Sequence, residues 1–331
     1  MTLREIGNIL VHPTEEISSI EKALDAYRSI LAKISTIDLD ATEHKINLDF
    51  DNGMAIGTTW AAMCLDDILR TKRFIRGLHL AIESLRKEKH TPVHVLYAGT
   101  GPYATLLLPI LAHYSANEVK VSLMDINVAS LENVKHVIQK LGFEEHVIHY
   151  HLEDATTFQL PNAETIDILI SETMQHALQT EQQVPIMYNL VPQLSEKAVV
   201  IPERIVLEIA LLNMEEIADT KLQPHILGEG FELSKRQISS EVQNGTSTSV
   251  PTILQAKELL VDQLYVHEKK QPLLSVLTTI HIFDDQVLKT NESGLTAPKI
   301  ICPIDATITG KTLISTFYQI GKENELRVEI N

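Results

Sequence analysis

Short apolar segments alternate with amphipathic helical segments from His90 onward, and this alternation limits what the chain can fold into. The predicted elements are, in chain order, a strand at 94–98, a helix at 103–114, a strand at 120–124, a helix at 129–141 and strands at 146–152 and 166–170. Strands that alternate with helices of about a dozen residues form a parallel sheet covered by helices. The sequence therefore predicts a doubly wound, Rossmann-like α/β domain.

The sequence patterns before and after this domain differ from the pattern within it. Before it, apolar residues recur at three- and four-residue steps over 17–31 and 60–78, and a stretch rich in Asp, Asn and Gly at 49–58 separates the two helical parts. After Pro202 the helical signal fades, and 204–212, 273–283 and 313–320 have the pattern of strands. We expect an N-terminal helical region over 1–90, the α/β domain over 91–202 and a mostly β domain over 203–331.

The net charge of the chain limits the kinds of partner that it can bind. Lys and Arg number 28 against 44 Asp and Glu, which gives a formal net charge of −16. Such a charge repels phosphates and anionic lipid and attracts cations. We therefore expect no nucleic acid and no membrane as partners, and we favour a basic small molecule or peptide.

Other compositional features favour a cytoplasmic protein without a metal site. The first 13 residues lack the pattern of a secretory signal, and the longest apolar run, around 104–112, is too short to cross a bilayer. Two cysteines, Cys64 and Cys302, are too few for a disulfide framework or a multi-cysteine zinc site. We expect a cytoplasmic protein with no metal site.

A Gly-x-Gly turn follows the first predicted strand and carries the first chemical signal. Gly99 and Gly101 let the backbone approach a ligand closely, with helix N–H groups aimed at it. Asp125 closes the next strand, where an acidic side chain takes the two hydroxyls of a ribose, and Asp154 follows the third strand, near the base end of such a ligand. The turn also fits the looser dinucleotide fingerprint through Ala104, so the turn alone leaves the nucleotide-type cofactor open.

A pair of carboxylates follows the strand at 166–170. Glu172 and Glu181 are nine positions apart, too far to share one helical face, so the pair suggests a folded-back loop. Two carboxylates on either side of a planar cation suit a guanidinium, whose fork of donors takes two bidentate acceptors. Two solvated glutamates are the alternative interpretation of the pair alone.

Four motifs in one order resemble the protein arginine N-methyltransferases, which use S-adenosylmethionine. Asp-Ile-Leu-Arg-Thr at 67–71 is similar to the stretch that precedes the family's cofactor fold, and the glycine turn at 99–101 resembles the loop of class I methyltransferases. Ser-Glu-Thr-Met at 171–174, with Glu181, resembles the double-glutamate loop at the family's spacing. Ile-Pro-Glu-Arg at 201–204 resembles the entry to the family's β domain.

The resemblance implies S-adenosyl-L-methionine as cofactor and assigns a role to each matching position. Arg70 would meet the carboxylate of the cofactor's methionine part, Gly99 and Gly101 would line it, and Asp125 would hold its ribose. The full predicted cofactor site is Arg70, Ala98, Gly99, Gly101, Asp125, Ile126 and Asp154. The resemblance also implies a β domain for substrate binding and dimerisation, and a homodimer.

Glu172 and Glu181 are the predicted catalytic pair, with His176 as a third candidate. The resemblance implies that the two glutamates clamp a substrate guanidinium and bias its charge toward one nitrogen. A guanidinium has no free lone pair, so moving charge off the attacking nitrogen lowers the barrier to methyl transfer. His176 would orient or deprotonate a different nucleophile.

The departures from the family pattern keep the substrate open. Tyr97 and Tyr103 stand where an acid and a third glycine are usual, Gln175 and His176 replace a Gly-aromatic pair, and a Thr-His-Trp segment is impossible because the single tryptophan is Trp60. Free arginine, a small guanidino compound and a peptide arginine are all retained as substrates. The alternatives are a small-molecule N- or O-methyltransferase of natural-product metabolism, an inactive cofactor-binding regulatory subunit and, more distantly, a dinucleotide oxidoreductase.

Overall fold

The computed structural model describes residues 1–14, 16–213, 224–244, 252–261, 272–304 and 311–331. The helices are α1 (Leu3–Val11), α2 (Ile17–Ile34), α3 (Thr58–Met63), α4 (Ile68–Arg86), α5 (Leu108–Leu111), α6 (Val128–Leu141), α7 (Gln183–Leu190) and α8 (Lys235–Asn244). The strands are β1 (Leu48–Phe50), β2 (Gly53–Ala55), β3 (Val93–Ala98), β4 (Val119–Asp125), β5 (Val147–Leu152), β6 (Ile168–Ser171), β7 (Val199–Ile201), β8 (Arg204–Asn213), β9 (His225–Ser234), β10 (Ile253–Val261), β11 (Pro272–Phe283), β12 (Gln286–Leu288), β13 (Lys299–Pro303), β14 (Thr312–Gln319) and β15 (Glu325–Ile330).

A parallel sheet with the order β5-β4-β3-β6-β7 forms the centre of the molecule. The alternating pattern predicts β3, β4, β5 and β6, whereas β7 is an addition. Strands β3 and β6 lie inside it, with neighbours on both of their edges, and their apolar side chains are almost completely buried. The side chains project from the two faces of the sheet, and helices cover the faces of a parallel sheet. Each fully buried aliphatic side chain of this kind stabilises the fold by about 1.5–3 kcal/mol. The predicted Rossmann-like architecture is confirmed.

The helix after β3 is much shorter than predicted. The pattern favours a helix over 103–114, but the structure has turns up to Leu107 and a helix over Leu108–Leu111 alone. Ala104 has a positive φ of 44°, which no right-handed helix contains. The chain is therefore turned at Ala104, and the helix starts after that residue.

The N-terminal region contains more elements than the periodicity predicts. The two expected helical stretches correspond to α2 and to α3 with α4, whereas α1 is an addition that begins with a capping box between Thr2 and Glu5. The Asp-, Asn- and Gly-rich gap forms the β1–β2 hairpin. Met54 in this hairpin makes a parallel bridge to Glu181, so the hairpin lies against the loop from Glu172 to Glu181, the carboxylate loop.

Two antiparallel sheets follow the parallel sheet. One has the order β12-β11-β8-β9, with β13 also on β11, and the other has the order β10-β14-β15. The predicted strands correspond to β8, β11 and β14, while β9, β10, β13 and β15 carried no clear pattern. The predicted mostly β region is thus present, although α8 interrupts it. Within the described ranges, no helix is both long and apolar enough to span a membrane.

Candidate active site

A cavity of about 350 Å³ opens where β3, β4 and β6 end at their carboxyl edge. Ligand sites in open α/β sheets lie at this edge, and a volume of roughly 300–1,000 Å³ is usual for small-molecule sites. Nine of the ten predicted site residues line it: Arg70, Gly99, Gly101, Asp125, Ile126, Asp154, Glu172, His176 and Glu181. Ala98 does not, because it is a fully buried residue of β3 that pairs with neighbouring strands on both sides.

The glycine turn has the conformation that its sequence predicts. Gly99 has a φ of 76° and Gly101 a φ of 58°, a left-handed backbone that glycine adopts without steric cost. A Cβ on Gly99 would collide with the Cγ2 atom of Thr173, so glycine is needed there for space as well. The turn therefore packs directly against the residue that follows Glu172.

Asp125 connects the turn to the end of β4. Its Oδ2 accepts hydrogen bonds from the Gly101 amide at 2.8 Å and from the Thr100 hydroxyl at 3.3 Å, and its Oδ1 accepts from the Asn127 amide at 2.8 Å. Burial raises the pKa of Asp125 to about 6, although these hydrogen bonds oppose the shift. Each carboxylate oxygen has two lone pairs, and both of those on Oδ2 are used, so Oδ1 retains capacity for one ligand hydroxyl.

Asp154 is held by a local turn and faces the same cavity. Its Oδ1 accepts from the backbone amide and the hydroxyl of Thr156, at 2.8 and 2.7 Å. The Thr156 hydroxyl in turn accepts from the side-chain amide of Asn52 at 2.9 Å. The N-terminal hairpin is therefore linked to the loop that presents Asp154.

Arg70 and Glu172 form an ion pair inside the cavity wall. Asp67 caps the N-terminus of α4 by accepting from the Arg70 amide at 3.1 Å, which places Arg70 in the first turn of that helix. The Arg70 Nη2 contacts the Glu172 Oε2, with side-chain exposures of 11% and 3%. Among the described residues the Glu172 Oε1 has no hydrogen-bond partner. A buried oxygen without a donor is costly, so this atom is available for a ligand donor.

Glu181 lines the cavity beside this pair. Burial raises the pKa of Glu181 to about 7, while the positive charge of Arg70 and a hydrogen bond from Gln175 act in the opposite direction. A carboxylate held in a poorly solvated place gains by pairing with a cation. Arg70 thus acts on both predicted clamp glutamates.

His176 stands at the same wall, between the two glutamates in sequence. Burial, and to a smaller extent the charge of Lys299, lowers the pKa of His176, so the ring is neutral at pH 7. One ring nitrogen lies 3.2 Å from the side-chain nitrogen of Gln179. The predicted role of His176 as a proton acceptor stays a prediction that this neutral state permits.

Sequence reasoning missed the residues that support the carboxylate loop. Gln183 accepts from the amide and hydroxyl of Thr173, both at 2.9 Å, and donates to the Ser171 carbonyl at 3.2 Å. Gln183 is also buried, so it fixes the backbone around Glu172 from within. A glutamine at the start of a helix has no distinctive sequence signal, which explains the omission.

The β domain supplies one wall of the cavity through the loop at 293–296. Gly294 and Leu295 line the cavity, and the hydroxyl of Ser293 and the amide of Gly294 donate to the Asp67 Oδ2 at 2.5 and 3.0 Å. Asp67 therefore ties the helix that carries Arg70 to this wall. The loop was not predicted, because its residues give no strand or motif signal.

Known proteins resemble this chain in fold. No family model and no curated protein matches the chain. Among solved structures, the Trypanosoma brucei PRMT1 enzyme–prozyme heterotetrameric complex with AdoHcy matches at 14% identity and a TM-score of 0.53, over 81% of this chain and 91% of the other.

Two further solved structures match over similar shares. Arabidopsis thaliana protein arginine methyltransferase 10 matches at 11% identity and a TM-score of 0.54, over 81% of this chain and 96% of the other. A PRMT6 structure matches at 11% identity and a TM-score of 0.51, over 77% of this chain and 95% of the other. The chain has the fold of the protein arginine methyltransferases.

Proposed function

We propose that the protein is an S-adenosylmethionine-dependent N-methyltransferase that acts on a guanidino nitrogen. The observation that carries the proposal is the buried pair Glu172 and Glu181, which face one cavity together with the Gly99–Gly101 turn. The fold supports it, since a structure with this fold is a complex with AdoHcy, the product of methyl transfer from this cofactor.

The residues at the cofactor end fit such a ligand. The backbone of Gly99 and Gly101 allows close approach, Asp125 and Asp154 offer carboxylate acceptors, and Arg70 offers a cation for a carboxylate. When bound, the cofactor supplies an activated sulfonium methyl group. Arg70 has five donors, so it can serve Glu172 and a ligand carboxylate at the same time.

The glutamate pair accounts for how a poor nucleophile is activated. A guanidinium is protonated with a pKa above about 12, and its lone pairs are delocalised. Glu172 and Glu181 would accept its N–H donors and draw the positive charge away from the attacking nitrogen, which stays fixed toward the methyl group. The proton that leaves this nitrogen has two candidate acceptors at the wall, Glu181 and the neutral ring of His176.

The cavity lining favours some guanidino compounds over others. In the described part of the chain, Arg70 is the one Lys or Arg side chain that lines it, and Glu172 already pairs with it. The carboxylate of a substrate such as free arginine finds no further cation there, and the net charge of −16 disfavours that group. An arginine within a basic peptide, or a guanidine without a carboxylate, is therefore favoured over free arginine.

A methyl-transfer assay tests the proposal. The protein is incubated with labelled S-adenosylmethionine and with free arginine, a carboxylate-free alkylguanidine, arginine-containing basic peptides, and amines and alcohols without a guanidino group. We expect label in guanidino compounds, and a loss of at least about 100-fold in kcat/KM for Glu172→Gln and for Glu181→Gln, on the scale of about 3 kcal/mol for a charge-assisted contact made to the reacting group.

Exposed Glu323 provides the matched control, because Glu323→Gln makes the same chemical change away from the cavity. Losses within threefold for both cavity variants, less than about 1 kcal/mol, contradict the clamp. Calorimetric titration with S-adenosylhomocysteine and with NAD tests the cofactor, and tight binding of NAD alone contradicts methyl transfer. Binding of S-adenosylhomocysteine without turnover of any compound identifies an inactive regulatory subunit.

A further inference from the structure

The loop between Glu172 and Glu181 has an unusual backbone. Ala177, Leu178 and Thr180 have φ values of 54°, 53° and 61°, in the left-handed region that residues other than glycine rarely adopt. The loop contains no glycine that would favour this conformation. Contacts from outside the loop must therefore hold it in place.

These contacts come from buried side chains of the β domain. The Thr278 hydroxyl on β11 accepts from the Ala177 amide at 3.2 Å. The Tyr318 hydroxyl on β14 donates to the Leu178 carbonyl at 2.5 Å. Both side chains are almost fully buried, so they are themselves rigidly placed. Hydrogen bonds to the antiparallel sheets thus hold two of the three residues that have a positive φ.

Asn324 makes the contacts on either side of Glu181. Its backbone carbonyl accepts from the Thr180 amide at 2.8 Å, and its side-chain Nδ2 donates to the Glu181 carbonyl at 2.9 Å and to the Asn52 carbonyl at 2.8 Å. Its Oδ1 accepts from the Gly321 amide at 3.1 Å. The residue is completely buried and is 143 positions away from Glu181 in sequence.

The chemistry of these contacts specifies an asparagine. Two donations and one acceptance from a single short side chain match a primary amide, whereas a carboxylate donates nothing and a hydroxyl donates once. The neighbouring backbone is shaped to the same group, since a Cβ on Gly53 would collide with the Asn324 Nδ2 and with the Thr180 carbonyl. One amide, that of Asn324, therefore joins three segments: the β1–β2 hairpin, the carboxylate loop and the β14–β15 hairpin.

We infer that Asn324 is a positioning residue that fixes the backbone at Glu181 and so directs the Glu181 carboxylate into the cavity. Asn324 does not line the cavity and acts through Glu181. The inference rests on the proposed function for the role of Glu181. A displacement of about 1 Å at a reacting group can cost roughly 100-fold in rate, so loss of the amide affects the guanidino substrate more than the cofactor.

The test compares variants of Asn324 with a variant of the exposed Asn331, which lies at the end of the same β14–β15 hairpin and donates to Ser315. We expect N324A and N324D to lower kcat/KM for the guanidino substrate at least tenfold, while the affinity for S-adenosylhomocysteine changes less than twofold. N324S retains one donor and is expected to lose less. N331A is expected to behave as the wild type.

A fall in rate that matches a fall in S-adenosylhomocysteine binding stoichiometry, at unchanged KM, means that fewer molecules are folded and overturns the inference. An unchanged kcat/KM in N324A and N324D overturns it as well. A wild type that methylates no guanidino compound refutes the proposed function separately. In that case hydrogen exchange decides: faster exchange over 176–182 in N324A, with β3 unchanged, supports the positioning role, and unchanged exchange refutes it.

Discussion

Replacing Glu181 with glutamine should make the protein more stable and less active. Glu181 is 7% exposed, and burial raises its pKa from the ordinary 4.5 to about 7, against the opposing effects of Arg70 and Gln175. The difference of about 2.5 pH units, at about 1.4 kcal/mol per unit, means that ionised Glu181 costs the folded state about 3 kcal/mol. The neutral amide in E181Q avoids this cost.

The sign of the effect sets the pH window. Below about pH 4.5 the carboxyl is protonated in both the folded and the unfolded states, so E181Q and the wild type differ little through this group. Between pH 4.5 and 7 the unfolded state loses the proton first, and the wild type loses stability as the pH rises. Above about pH 7 the full difference of about 3 kcal/mol is present.

Thermal unfolding of E181Q and the wild type from pH 4.5 to 8.5 measures this difference. We expect E181Q to melt roughly 5 °C higher at pH 8, for a chain of this size, and the gap to close toward pH 4.5. The exposed Glu323 gives the control E323Q, whose difference from the wild type should be small at every pH. If E181Q melts lower than the wild type at pH 8, or if the difference in melting temperature does not depend on pH, Glu181 is not a buried carboxyl with a raised pKa.

Three further outcomes follow from the same geometry. Because the clamp needs ionised Glu181, kcat/KM for a guanidinium should fall about tenfold per pH unit below pH 7. Rate measurements on E181Q over the same pH range should show no such fall. Gly99→Ala should weaken S-adenosylhomocysteine binding at least tenfold in calorimetry, whereas Gly142→Ala, with a φ of 72° and open space around it, should cost about 1 kcal/mol of stability and no affinity. Ser293→Ala removes a donor to Asp67, which caps the helix that carries Arg70, and should weaken S-adenosylhomocysteine binding about tenfold in calorimetry, on the scale of one charge-assisted hydrogen bond.

The three inner strands of the parallel sheet, β3, β4 and β6, were predictable because they are buried on both faces and therefore appear in the sequence as apolar runs. The antiparallel strands differ in this respect. Strand β9 contains Gly228 and Gly230, which weaken a strand pattern, and β10 carries Lys257 and Glu258 on a partly exposed surface. These strands form because neighbours pair with them, and that information is not local to their own segments.

The site was predictable where its residues lie close together in sequence or follow a strand. Gly99 follows β3, Asp125 closes β4 and Glu172 follows β6. The topology therefore brings these three residues to one edge of the sheet. The ion pair between Arg70 and Glu172, and the support that Asn324 gives to Glu181, join residues more than 100 positions apart. No periodicity or spacing reports such contacts, because they depend on how the domains pack.

The charges in the cavity wall favour a cationic substrate over a neutral nucleophile. Arg70 and Glu172 balance each other, and below about pH 7 Glu181 is neutral, so the wall formed by these three groups carries no net charge. A guanidinium that enters supplies one positive charge and lowers the pKa of Glu181, which then ionises and restores the balance. A neutral amine or alcohol supplies no such charge, so Glu181 stays protonated below about pH 7 and is ionised without compensation above it, which is unfavourable in a buried site. Methylation of a small neutral nucleophile therefore fits this wall less well than methylation of a guanidinium, and proton release on substrate binding at pH 6.5, measured by calorimetry in buffers of different ionisation enthalpy, should accompany the guanidinium alone.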